Sequence, residues 1–198
     1  RMKINLALFE RLEAQKEALK KKLKIPENIR IDVALDMVHG VNDLARSIAD
    51  LYPHKKSIAI LGAQASPIKE VAVGFGKLGF VVQELPVSFA HNDEQTLAVA
   101  WEKLRKDTLF VMGHAVEPLT GAIYPFDWIR REAPKKSIFS LIYQSPDSLK
   151  KGLIIPQTPW EGIVADPLWG GEESTLSLVL KGERCQGETM LWGEPHIS

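Results

Sequence analysis

This sequence predicts an α/β domain: a mainly parallel sheet with helices on both faces. Three observations carry the expectation. Thr108–Met112 and Ser137–Tyr143 are continuous apolar, β-rich runs, the composition of strands buried on both sides. Between them lie the turn Pro118-Leu119-Thr120-Gly121 and a short amphipathic stretch, and parallel strands need a crossover of that kind. The same alternation of apolar run and amphipathic segment recurs through residues 30–147.

Each element can be justified in order. Residues 4–24 read as an amphipathic helix, with Ile4, Leu8, Leu12, Leu19 and Leu23 near one face and Lys and Glu opposite. Pro26-Glu27-Asn28 ends it. This gives an N-terminal helical arm, residues 1–29, ahead of an α/β domain, residues 30–198. A leucine stripe of this kind invites association if left exposed, so the arm is expected to pack on the domain or on a partner. Ile31–Met37 reads as a strand, and His39-Gly40-Val41-Asn42 as the loop leading into a helix at Asp43–Leu51. Ser57–Leu61 is the next strand. Ser66-Pro67 supplies an N-cap and a first-turn proline for a helix over Ile68–Leu78. Strand Phe80–Val87, helix Glu94–Lys106, strand Thr108–Met112, helix Phe126–Arg131 and strand Ser137–Tyr143 follow. Beyond Asp147 the pattern weakens, with late strands at Thr175–Leu180 and Glu188–Trp192.

Composition limits the function. Lys+Arg and Asp+Glu each total 25, so the chain has no basic excess for nucleic acid or an anionic membrane. No apolar run approaches the roughly 20 residues of a spanning helix. The lone Cys185 cannot form an internal disulfide. These features point to the cytoplasm.

Most motifs have bland readings. Gly74-Phe75-Gly76-Lys77-Leu78-Gly79 matches a dinucleotide fingerprint, but that motif must follow a strand and open a helix. Here it ends a helix, and Gly79 reads as a C-terminal cap. The five histidines lack metal-site spacing, so no metal is expected. No Gly-x-Ser-x-Gly is present, which removes the signal for acyl transfer. Two strand-to-helix loops, Gly40-Val41-Asn42 and Gly62–Ser66, have the form of anion sites, where free backbone amides at a helix start cradle a phosphate.

The order of these features resembles the large domain of fold-type I pyridoxal-phosphate enzymes, the aspartate aminotransferase superfamily, over residues 30–147. His39–Ala45 stands where the family's phosphate-binding loop opens a helix, and Lys77-Leu78-Gly79 resembles a family-type helix end. Glu117-Pro118-Leu119-Thr120-Gly121, followed by Pro125–Ile129, resembles the family's Asn-Pro-x-Gly or Asn-Pro-Thr-Gly turn and following helix. The resemblance implies Gly40, Val41, Asn42 and Thr120 as cofactor contacts and a homodimer as the assembly. It also makes a phosphate-containing small molecule the implied ligand.

The departures are as informative. Glu117 replaces the turn Asn that contacts the cofactor ring. The Asp that pairs with the pyridine nitrogen should lie near Tyr143-Gln144, and only Asp147, further on, is available. Ile163–Gly171 resembles the strand and loop that carry the Schiff-base lysine but contains no lysine, leaving Lys181 as the remaining candidate. Lys181 follows an apolar run, which suits a strand end reaching water. The phosphate-binding Arg has no equivalent in Gly187–Gly193, and the chain ends where the family's small domain would begin. A Schiff base needs an amine nucleophile, and the ring carboxylate makes the cofactor an electron sink. The expectation is therefore a truncated, degenerate domain, without aminotransferase activity or covalent cofactor, that acts by binding, pyridoxal phosphate remaining a candidate ligand. The alternatives are an active enzyme using Lys181 with Asp147, and an unrelated α/β small-molecule-binding domain.

Overall fold

The computed structural model describes residues 6–62, 66–86, 94–116, 123, 125–145, 152–166 and 176–186, with side chains left aside at 6–9 and 66–67. Helix α1, Leu6–Lys22, is built mainly from Leu, Ala, Lys and Glu, all good helix formers, with Lys20, Lys21 and Lys22 in its last turn. Then come β1 (Arg30–Ala34), α2 (Met37–Leu51), β2 (Ser57–Leu61), α3 (Ser66–Lys77) and β3 (Val81–Leu85). The chain continues through α4 (Glu94–Glu102), β4 (Thr108–His114), α5 (Phe126–Glu132), β5 (Phe139–Gln144), β6 (Glu161–Ala165) and β7 (Ser177–Lys181).

The seven strands form one sheet in the order β1-β7-β6-β5-β4-β2-β3. β7 runs antiparallel to both its neighbours, β1 and β6, while the β2–β3, β2–β4, β4–β5 and β5–β6 pairs are parallel. The expected mainly parallel sheet is therefore present. β2, β4, β5, β6 and β7 are buried along their whole length, because helices cover both faces. Val41, Leu44 and Ile48 of α2 and Ile68, Val71 and Phe75 of α3 pack with Phe110, Phe139 and Val164 on one side. Leu97 and Trp101 of α4 and Phe126 and Ile129 of α5 pack with Val111, Ile142 and Ile163 on the other.

Several boundaries differ from the sequence reading, each for a physical reason. α2 begins at Met37, six residues before the expected start, because Asp36 caps it: its carboxylate accepts the His39 N–H at 2.8 Å. β1 accordingly ends at Ala34. α4 stops at Glu102, and the Arg105 N–H goes instead to the Gln83 side-chain oxygen at 3.0 Å. Gly79 is the expected cap of α3: its φ is 87°, and the Phe80 N–H reaches back to the Phe75 carbonyl at 3.1 Å. Leu19 and Leu23 of α1 are partly buried against the second cluster, so this end of the arm's stripe meets its own domain. The proposed strand Glu188–Trp192 lies outside the described residues. Among the described residues, no helix is long and apolar enough to cross a membrane.

Candidate functional site

In open α/β sheets ligands bind outside the carboxyl ends of the strands. At that edge β1 leads to Asp36, β2 to Gly62, β4 ends on His114, β5 on Gln144, β6 on Ala165 before Asp166, and antiparallel β7 starts at Ser177. The edge is built tightly. Gly62 turns there with φ 57°, and its N–H donates to the Leu85 carbonyl at 2.7 Å, closing the ends of β2 and β3 together.

A hydroxyl–carboxylate cluster occupies the ends of β5, β6 and β7. The Tyr143 hydroxyl donates to one oxygen of Asp166, and the Ser177 hydroxyl donates to the other at 2.5 Å. The His114 ring stands edge-on to Tyr143, with centroids 4.8 Å apart and planes at 78°. Burial, with the Asp166 carboxylate adding to it, pushes the Tyr143 phenol above its ordinary range, so it acts as a neutral donor. Beside this cluster Gln144 is fully committed: its amide nitrogen donates to the Gly152 carbonyl at 2.7 Å, and its oxygen accepts from the Ile154 N–H at 2.8 Å. Gln144 thus pins the extended segment 152–154 to the sheet.

The start of α2 also lies at this edge. Asp36 accepts from the His39 backbone and sits 2.7 Å from His39 Nδ1. The His39 backbone bond, followed by its side-chain contact, holds the Asp36 carboxyl below the usual carboxylate range. The helix N-terminus therefore already carries a negative charge.

This corrects the reading of Gly40-Val41-Asn42 as a loop with free amides. All three lie inside α2, and the Gly40 N–H already donates to the Asp36 carbonyl at 2.9 Å. Gly40 serves packing instead. A Cβ there would stand 2.9 Å from Val164 Cγ1, 3.2 Å from Ala34 Cβ and 3.3 Å from Val179 Cγ2, so its absence lets α2 seat on β6, β1 and β7. Thr120, Glu117 and Asp147 lie outside the described residues.

Lys181 is also placed differently from its expected role. Because β7 is antiparallel, its last residue pairs with Arg30 and Gly162, at the amino ends of β1 and β6. Lys181 is 0% exposed and its ammonium lies 2.9 Å from Asp32 Oδ2, at the opposite edge from His114, Gln144 and Asp166. It is not a strand end reaching water. Burial lowers its pKa, with Asp32 working against that shift.

The candidates therefore do not fit a covalently held pyridoxal phosphate: the remaining amine is at the wrong edge, and Gln144, where a ring carboxylate was sought, is a neutral amide with both ends engaged. Sequence reasoning missed Asp36, Tyr143, Asp166 and Ser177. Asp36 was findable as a capping residue three positions before His39, and Asp166 as a carboxylate following the apolar run Ile163–Ala165.

No family model matches the sequence, and no curated protein matches it. Among solved structures, the chain is similar to a NifS-like protein at TM-score 0.64 and 16% identity, over 89% of this chain and 49% of that one. It is also similar to a sphingosine-1-phosphate lyase from Burkholderia pseudomallei at TM-score 0.60 and 14% identity, over 85% of this chain and 42% of that one. Identities this low establish a shared fold. The chain spans about half, or less, of the length of each. The large-domain fold implied by the sequence resemblance is the fold found.

Proposed function

We propose that this chain, built on the large-domain fold of fold-type I pyridoxal-phosphate enzymes, is a degenerate member of that architecture without aminotransferase activity. It acts as a binding or interaction protein in the cytoplasm and assembles as a homodimer. The position of Lys181 carries the proposal: its amine is committed to Asp32 inside the sheet, at the edge remote from the hydroxyl–carboxylate cluster. The capped α2 start adds support, since the Asp36 carboxylate occupies the position where a phosphate would seek helix amides. Fold alone does not carry activity.

The test is titration with pyridoxal phosphate, followed by near-visible absorbance, borohydride reduction and peptide mapping. The proposal expects no stoichiometric band and no single trapped lysine. A yellow protein that maps to one lysine and loses its colour when that lysine is replaced would make the chain an enzyme. Sedimentation of the same sample tests the dimer.

A further inference from the structure

At the amino edge of the sheet, away from the hydroxyl–carboxylate cluster, a cleft of about 410 Å³ opens between α1, the turn after it, the start of β1 and the segment after β7. That volume falls within the roughly 300–1,000 Å³ of small-molecule sites. Glu13, Lys16, Glu17 and Lys20 line it from α1, at the spacing that sets side chains on one helix face.

The cations at this cleft are anchored and still hold spare donors. Lys16 and Lys20 are 8% and 7% exposed, an unusual fate for lysine unless its charge is paired. Lys16 Nζ donates to Glu13 at 2.8 Å and to Asp32 at 3.2 Å. Lys20 Nζ donates to the Glu27 carbonyl at 2.7 Å and to its carboxylate at 3.3 Å. An ammonium has three donors, so each lysine keeps one. Arg30 reaches the same Asp32 through Nε at 3.4 Å, and its terminal nitrogens meet no partner among the described residues. Spare donors on three cations around one cleft suit a carboxylate, which an arginine fork binds through two oxygens.

Spare acceptors lie further out. Glu17 and Glu183 also line the cleft, are exposed, and carry no ion pair among the described residues. Four carboxylates and three cations face the space, while Asp32 and Lys181 behind it offset each other. An anion alone would therefore enter against a net negative wall. A ligand with one carboxylate and two ammonium groups matches both the pattern and the net charge.

We infer that this cleft binds a small basic amino acid, its carboxylate toward Lys16, Lys20 and Arg30 and its ammonium groups toward Glu17 and Glu183. The site lies outside the function proposed above and does not depend on whether pyridoxal phosphate binds.

The test is calorimetric titration of the full chain with L-lysine, compared with succinate and pentane-1,5-diamine at one ionic strength. Each comparison compound carries only half of the charge pattern. The expected result is saturable one-to-one binding of L-lysine, with the other two weaker by about tenfold or more. Arg30→Gln should weaken L-lysine by about tenfold, the loss of a charge-assisted bond. Glu183→Gln should weaken it a few-fold, and Glu94→Gln on α4, remote from the cleft, should change nothing. Absence of saturable L-lysine binding would overturn the inference. So would a diamine that binds equally well, which makes the cleft an acidic surface, or a succinate that does, which makes it an anion site. L-lysine affinity unchanged in both cleft variants would place its binding elsewhere and overturn the inference too. Should Arg30→Gln fail to fold, Glu183→Gln, at an exposed side chain, decides alone.

Discussion

Lys181 and Asp32 meet diagonally across the β1–β7 ladder, ammonium to carboxylate at 2.9 Å, beneath a surface that leaves Lys181 with no exposed area. Burial alone would raise the Asp32 pKa, but Lys181, with Arg30 and Lys16 beyond it, more than offsets this and holds the carboxyl below its ordinary value. The pair belongs to the folding of the sheet's antiparallel side. It joins two strands whose sequences are far apart, at the edge opposite Gln144 and His114.

Removing one partner of a buried ion pair leaves the other charge stranded, at a cost of about 3–5 kcal/mol. Asp32→Asn should therefore lower stability by about that amount in urea titration, and Lys181→Met should cost less, since Asp32 retains Arg30 and Lys16. Neither change should alter any ligand bound at the carboxyl edge. The pH dependence follows from the sign of the Asp32 shift. A carboxyl with a depressed folded pKa contributes stability above its unfolded pKa, about 3.9, and loses it as pH falls through the folded value. Wild type should lose stability on acidification below about pH 4, and Asp32→Asn should lack that component.

The glycines separate packing from ligand binding. At Gly40 an added Cβ meets Val164, Ala34 and Val179 side chains, so Gly40→Ala should cost about 1–3 kcal/mol by overpacking. At Gly182 the same atom would stand 2.6 Å from the Thr158 carbonyl oxygen, 2.8 Å from that of Glu161 and 2.9 Å from that of Pro159, none of which can swing aside. Gly182→Ala should be the more damaging. Denaturant midpoints for the two variants, with Gly74→Ala as a control facing open space, decide the order.

Much of this fold was legible because strands buried on both faces announce themselves. Leu109–Met112 and Leu141–Tyr143 leave no polar position for a solvent side, and their flanking segments are long enough for parallel crossovers. The start of α2 was not legible from Gly40, which looks like a breaker. Its reason for being glycine is Val164, a residue on another strand. The direction of β7 was equally hidden, since nothing local in Ser177–Lys181 says which way the chain returns after a long connection. That one unreadable fact moved Lys181 from one end of the sheet to the other. The Tyr143–Asp166–Ser177 cluster is likewise a product of register between β5, β6 and β7.

Tyr143 should be silent in an alkaline titration. Burial, then its bond to Asp166, raises its pKa above the ordinary tyrosine value. An acid whose folded pKa is raised contributes stability that is fully present below its unfolded pKa, about 10, and is lost as pH rises beyond it. Phenolate absorbance from Tyr143 should therefore appear only with unfolding, and Tyr143→Phe should remove one late-titrating phenol from the spectrum. A Tyr143 that ionises reversibly in the folded protein near its ordinary pKa would contradict the buried hydroxyl–carboxylate bond.

Gln144 provides the sharpest check on the carboxyl edge. Its amide donates to Gly152 and accepts from the Ile154 N–H, a pairing that requires one end to be a donor and the other an acceptor. Gln144→Glu keeps the acceptor for Ile154 but sets a carboxylate oxygen against the Gly152 carbonyl, two acceptors facing each other. Leaving a buried partner unsatisfied costs about 1–3 kcal/mol, and more for a charged group. The variant should therefore release segment 152–154, seen as accelerated exchange at the Ile154 amide, while the amides of β4 stay protected. The effect should fade on acidification, since the introduced carboxyl, once protonated, can again donate to Gly152. Rescue at low pH separates this bond from a general loss of packing, because a shortened or misfitted side chain would gain nothing from the proton.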